Sequence, residues 1–408
     1  MIYPKTQIKT ADVIAARGAL PIGCAVRNGV ITPALAPSAI TKCKFGQVDC
    51  VVASTAMGLY MVKSLKNIYY SRNGLKYDLI SSFESDEPFG FEDFEGEVHR
   101  MVLAGNVSSQ SVYARSSKLI NFKFGICGGQ YKSGRLFAID MENRFRLRWS
   151  GEGGAYDWEE GISGAGGVTL ESKGGQILNL VNYGDKLVAV REHSLTVVSA
   201  FGTPENFKIL ATDTAVHKTV KHTAAVADNK LIFFAEGGLH YFDGNKISKL
   251  SHPLEGEISD PTFATAYGNG YMLCCRSKSL EREVVLFYDF DFNTSYLIDV
   301  PAVRIAVTSD IYAYFYASVC TLEKCTEYTF KSGNIDFGTG ERKHLNCIEI
   351  ECDEPVDLVI SNGSFERTFT GVKGRLLVDM CGANFVLSVI GGAEIRNFKA
   401  YAEVMSGV

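Results

Sequence analysis

The residues best suited to chemistry crowd into one stretch, Arg144-Phe-Arg-Leu-Arg-Trp-Ser-Gly-Glu-Gly-Gly-Ala-Tyr-Asp-Trp-Glu-Glu-Gly161. It holds both tryptophans of the 408-residue chain, with Glu152, Asp157, Glu159 and Glu160 beside them. A retaining glycosidase needs two carboxyl groups about 5 Å apart. Adjacent Glu159 and Glu160 would face opposite ways on a strand, and Asp157 and Glu159 flank a glycine-rich turn where acids are simply solvated. The spacing therefore gives no convincing catalytic pair. Tyr156, Asp157, Trp158 and Glu159 suit an interaction surface instead, either a shelf for a sugar ring or a contact for a neighbouring subunit. Phe145, Leu147 and Trp149 alternate along one strand face and are expected to pack between sheets.

Elsewhere the reactive residue types lack the spacing that chemistry needs. His217 and His222 stand five apart, which suits neither one helix face nor one strand face. The eleven cysteines are scattered, several inside apolar runs such as Tyr271-Met-Leu-Cys-Cys275, and read as reduced, buried thiols. Cys320/Cys325 and Cys347/Cys352 have a C-x4-C spacing, but in strand-like text their side chains should point apart. No serine sits in a G-x-S-x-G elbow, and no Ser-x-Asp-x-Gly-x-Thr-Trp box of the sialidase type occurs. The glycine clusters at 161–167 and 174–175 lack the Lys-Ser/Thr ending of a phosphate loop. The expectation is a protein without catalytic residues, metal or cofactor, and not an enzyme.

The elements that must position these residues are strands. Apolar residues make up 46% of the chain, enough for real cores, and the net charge is −5 with no basic run. That balance argues against tight binding to nucleic acid backbones. No stretch is long and apolar enough for a membrane span, and the polar start does not read as a signal peptide. Thr10 could cap a short helix over 11–17 that stops at Gly18. After that, short β-branched and aromatic runs alternate with Gly, Asn and Asp turns.

One phrase recurs: a strand after a polar turn, a second turn, then a strand rich in aromatic or apolar residues. It begins near Val48, His99, Gly134, Asp185, Asn229, Gly270 and Ile311. Spacings of about 35 to 51 residues are those of propeller blades, each a four-stranded sheet that cannot cover both its faces alone. Beyond Ser332 the alternation becomes cleaner, as in Cys347-Ile-Glu-Ile-Glu-Cys352 and Phe385-Val-Leu-Ser-Val-Ile390, which suggests a small antiparallel sandwich. The reading is all-β: residues 1–45 a segment with a short helix that closes the fold or contacts a neighbour, 46–331 a β-propeller-like domain of five to seven blades, and 332–408 a C-terminal β-sandwich.

The text from Gly134-Arg-Leu-Phe-Ala-Ile-Asp140 through Arg146-Leu-Arg-Trp-Ser150, Tyr156-Asp-Trp158 and Gly175-Gln-Ile-Leu-Asn-Leu-Val181 to Tyr183–Val198 resembles propeller-type proteins of tailed phages. The nearest groups are the tail nozzle, or tubular protein B, and the packaged-DNA stabilisation hub. The chain departs from the pattern where Gly151-Glu-Gly-Gly154 replaces a proline-containing turn, and at Val190 and Thr196. The resemblance implies a structural protein of the virion, in its neck, nozzle or tail, made in the host bacterial cytoplasm. It implies a homo-oligomer, commonly a sixfold ring, seated on other virion proteins, with DNA passing through the channel without tight binding and no membrane partner. The aromatic and acidic 156–160 segment keeps a second reading open, a carbohydrate-binding propeller or glycosidase with an accessory sandwich.

Overall fold

The computed structural model describes residues 5–9, 13, 18–54, 59–82, 91–95, 100–105, 110–113, 119–122, 126–140, 142–153, 157–161, 163–212 and 218–405. Six four-stranded antiparallel units follow one another along the chain, spanning 50–82, 91–122, 126–169, 177–212, 225–249 and 258–298. A seventh has Arg304–Val307, Ile311–Phe315 and Ser318–Lys324 from the chain, and takes its outer edge from Leu35–Pro37 and Thr41–Lys42. The innermost strands of successive units touch, and that of the seventh touches that of the first, so the ring closes. The fold is a seven-bladed propeller, at the top of the range expected.

Each blade buries apolar side chains against the next, because a lone twisted sheet leaves both faces wet. Phe137, Leu147 and Trp149 of blade three meet Leu180, Leu187, Ala189 and Val198 of blade four. Val188, Val190 and Leu195 meet Leu231, Phe233 and Phe242 of blade five. Ring closure rests on tyrosines: Tyr60, Tyr69 and Tyr77 of blade one pack on Tyr312 and Tyr314 of blade seven, and the Tyr77 and Tyr314 hydroxyls hydrogen-bond at 2.8 Å. Tight hairpins set the register, as at Asn28–Gly29 and Ser133–Gly134, where both central residues take positive φ.

The sandwich draws on both ends of the chain. Its first sheet joins Cys24–Arg27 and Val30–Pro33 to Ile395–Val404, Lys343–Cys352 and Gly374–Gly382, with Lys5–Lys9 also on Ile395–Val404. Its second runs Leu20–Ile22, Tyr328–Lys331, Val386–Gly391, Val356–Ser361 and Glu366–Val372. Leu20–Ile22 also pairs in parallel with the outer strand of blade six, through Ile22 and Leu297. Blade six and the second sheet are thus one nine-stranded sheet.

The first 45 residues, read as a helical arm, supply sandwich strands, the link to blade six and the outer edge of blade seven. Of the proposed helix only Val13 lies among the described residues, in a helical state. A division at 331 falls at the end of a strand whose Tyr328 and Phe330 already belong to the sandwich core.

Candidate functional site

The segment singled out by its tryptophans and acids is the loop between the third and fourth strands of blade three, residues 150–165. One buried arginine organises it. Arg135, 2% exposed at the start of the second strand, donates through Nη1 to the carbonyls of Ser150 (2.9 Å), Ser163 (3.2 Å) and Gly164 (3.1 Å). Its Nη2 lies 3.5 Å from the Glu152 carboxylate. A guanidinium taken out of water needs such a set of acceptors, since a buried charge without them costs several kcal/mol. Ser150 Oγ accepts the Leu136 N–H at 2.9 Å, and Trp149 Nε1 donates to the Gly164 carbonyl at 3.2 Å. Both ends of the loop are therefore fixed to the blade.

Within this frame the acids have structural partners. Asp157 Oδ1 accepts the Glu159 N–H at 3.1 Å, and its carbonyl accepts the Gly151 N–H at 2.7 Å. Glu160 binds Arg146 and lies 3.6 Å from Arg148, which also bonds Asp140 at 2.6 Å. Trp158 is buried, 7% exposed, so it offers no open ring face for a sugar to stack on. Asp157 is half-buried, Glu159 is exposed, and Tyr156 lies outside the described residues. The expected surface thus reduces to Glu159 and part of Asp157. Leu147 and Trp149 lie in the cluster between blades three and four, with Trp149 5.3 Å from Phe207 and 6.1 Å from Phe137. Phe145 is half-buried and precedes the strand Arg146–Trp149.

Blade four carries a second buried arginine that sequence reasoning missed. Arg191, 3% exposed, donates through Nε to the Gly175 carbonyl at 3.0 Å and through Nη2 to the Glu171 carbonyl. Burial lowers its pKa, with Glu171 acting the other way. A Cβ on Gly174 would lie 2.4 Å from both Arg191 Nη1 and Ser194 Oγ, so any larger residue there would have to displace the clamp. In the sequence Arg191 is only an arginine at the end of an apolar strand, with the Gly174-Gly175 pair 16 residues and more before it, and nothing there separates a buried clamp from a solvated residue.

His217 lies outside the described residues, and His222, at a positive φ of 62°, donates its N–H to Asn179 Oδ1 at 3.1 Å. Cys352 belongs to the sandwich core, while Cys347 on the same strand accepts from Arg375 at 3.8 Å. Among the described residues no group of three His, Cys, Asp or Glu side chains could hold a metal ion, and no helix is long and apolar enough to cross a membrane.

No family model matches the chain, and no curated protein matches it. Solved structures do. A streptogramin B lyase superposes with a TM-score of 0.51 at 10% identity, over 70% of this chain and 96% of that one. A virginiamycin B lyase from Staphylococcus aureus gives 0.51 at 11% identity, over 70% and 98%. The WD40 repeats of RRP9 give 0.48 at 12% identity, over 70% and 98%. The two lyase likenesses show the β-propeller fold. They also correct the expectation that the chain is not an enzyme, since propellers of this build include lyases. The lack of a familiar catalytic box was not sufficient ground for excluding catalysis. At such identities the likeness carries no particular activity to this chain.

Proposed function

We propose that the chain is a structural subunit of a tailed-phage particle, of the neck, nozzle or tail, that assembles as a ring around the DNA channel. The observation that carries the reading is the resemblance of residues 134–198, which span most of blade three and the first three strands of blade four. The motif residues form a connected unit: Arg135 and Ser150 fix one loop, Trp149 fills the space between the blades, and Arg191 fixes the link between them. Further support comes from the far side of the sandwich. Glu366–Val372 and Gly374–Gly382 each end a sheet, and Phe365 and Leu377 stand 72% and 75% exposed near those edges. Open strand edges beside exposed apolar side chains suit a subunit that completes itself against neighbours.

Negative-stain imaging of the purified protein, with its mass in solution, tests the reading. Rings, or the protein's presence in particles of the producing phage, are expected. A strictly monomeric protein absent from particles overturns it. The carbohydrate reading relied on an open Trp158 face, and no observation favours it.

A further inference from the structure

The outer strands of the two sandwich sheets, Glu366–Val372 and Gly374–Gly382, follow one another in sequence. Where the first begins and the second ends lies a cavity of about 690 Å³, within the range of about 300–1,000 Å³ that holds small ligands. Its walls are held by bonds between the two strands. Asn362 Oδ1 accepts the Ser364 and Phe365 N–H groups at 2.9 and 2.7 Å, and its Nδ2 donates to the Cys381 carbonyl at 2.7 Å. A Cβ on Gly382 would stand 2.9 Å from Asn362 Cβ, so glycine lets the turn close onto the strand. From the other side Arg367 Nη1 donates to the carbonyls of Val378 (2.8 Å) and Asp379 (3.1 Å), and His344 Nε2 lies 2.7 Å from Asp379 Oδ1.

This fixed frame presents one ring and four charges. Phe365, 72% exposed, lines the cavity together with Arg342, Glu366, Arg367 and Asp379. Among the described residues Arg342 and Glu366 enter no ion pair, so a guanidinium and a carboxylate both stand ready for a ligand. The two cations and two anions balance, which decides the charge of what can bind. An anion would meet Glu366 and Asp379, and a cation would meet the arginines. An added peptide strand is disfavoured as well. Arg367 already occupies two carbonyls of the Gly374–Gly382 edge, and Asp379, at a positive φ of 52°, sits in the irregularity that interrupts its ladder between Leu345 and Cys347.

We infer that this cavity binds a neutral saccharide, with a sugar ring on Phe365 and its hydroxyls between Arg342, Arg367, Glu366 and Asp379. A hydroxyl both donates and accepts, so one sugar can satisfy guanidinium N–H groups and carboxylate oxygens at once, while its C–H face covers an aromatic ring that otherwise stands in water. The bonds that fix Asn362 and Arg367 mean that little order has to be imposed on binding. Phe365 differs in this from Trp158, whose ring is buried in its own loop. The site lies within the sandwich and does not rest on the assembly reading.

An array of immobilised neutral hexose and N-acetylhexosamine oligomers, beside sialylated and sulfated ones, tests the site with the full chain. Binding to neutral members is expected, and calorimetric titration with the same saccharide in free form gives its strength. Phe365→Ala should weaken that binding by at least about tenfold, whereas Phe365→Tyr should keep it. Glu366→Gln keeps the shape and upsets the charge balance, so it should shift binding from neutral toward acidic members. Leu377→Ala removes an equally exposed side chain of the same sandwich outside the cavity and should bind as the parent does. No neutral saccharide bound, binding confined to the charged ones, or equal weakening by Leu377→Ala overturns the site. If the parent binds no saccharide and Phe365→Ala lowers the mass of an oligomer in solution, Phe365 is a subunit contact; the saccharide site then fails while the assembly reading stands.

Discussion

Blades three and four hold together through residues near one another in sequence, whereas the joint between blades six and seven and the sandwich is made by residues from opposite ends of the chain. In the blades, Arg135 reaches Ser150, 15 residues on. In the joint, Arg27 binds Asp289 across 262 residues and the Cys325 thiol donates to the Gly23 carbonyl across 302. Local hairpins can form and pack before the ring exists, but the joint can form only once both ends of the chain are in place. Damage to a blade should therefore stay in the ring, and damage to the joint should reach both ring closure and sandwich.

The largest effect is expected from Trp149→Ala. Emptying a buried indole between two blades, and losing its bond to Gly164, should cost about 3–5 kcal/mol in urea unfolding. Amide exchange should rise across 126–212 and stay unchanged across 343–404. Equal loss of protection in both would erase the distinction between ring and joint. Acid should act next, through the ring. His252, in the link from blade five to blade six, is 6% exposed with neither ring nitrogen hydrogen-bonded among the described residues. Burial, with Lys249 assisting and Glu255 opposing, pushes its pKa down to about 4 from 6.5. The unfolded chain then holds the proton more tightly, so stability is fully present above about pH 6.5 and falls as pH drops toward 4. The loss amounts to roughly 3 kcal/mol. His252→Phe should flatten that part of the stability curve, and an unchanged slope would remove His252 as its cause.

The same contrast explains what the sequence disclosed. The recurring phrase marks the second and third strands of blades two to six and the second strand of blade seven, and in blade one it falls a strand early, on Cys50–Ser54 and Leu59–Ser64. Second strands lie inside the sheet and are covered on both faces, so they read as continuous apolar runs. Arg135–Asp140 is buried at every position, and Gly270–Ser277 at all but one. Outer strands such as Ile247–Lys249 are three residues long and partly wet, and left no period to count. The joint was illegible for a different reason. Leu20–Ile22 and Leu35–Pro37 are each three residues long with a proline inside or at the end, and only distant partners make them strands. Trp149 could be placed because its alternation with Leu147 is local. Trp158 could not, because its burial depends on a loop held by Arg135.

Two substitutions sharpen the joint's side of the comparison. Gly392 follows the sandwich strand Val386–Gly391, and a Cβ there would stand 2.1 Å from the Thr326 carbonyl oxygen, on the segment that carries the chain out of blade seven. Backbone on both sides would have to move, so Gly392→Ala should cost about 1–3 kcal/mol. Raised amide exchange should follow in both 304–324 and 343–404. The smallest effect belongs to Arg27, whose Nη2 bonds Asp289 at 2.9 Å while its guanidinium lies 4.5 Å above the Phe292 ring. The arginine side chain is 38% exposed, so solvent screens the pair, and Arg27→Ala should cost no more than about 1 kcal/mol. Arg27→Lys should recover only part of that, because an ammonium keeps the charge but not the planar stacking on Phe292. If Arg27→Ala instead costs as much as Gly392→Ala, the joint is held by charge across its surface more than by close backbone packing.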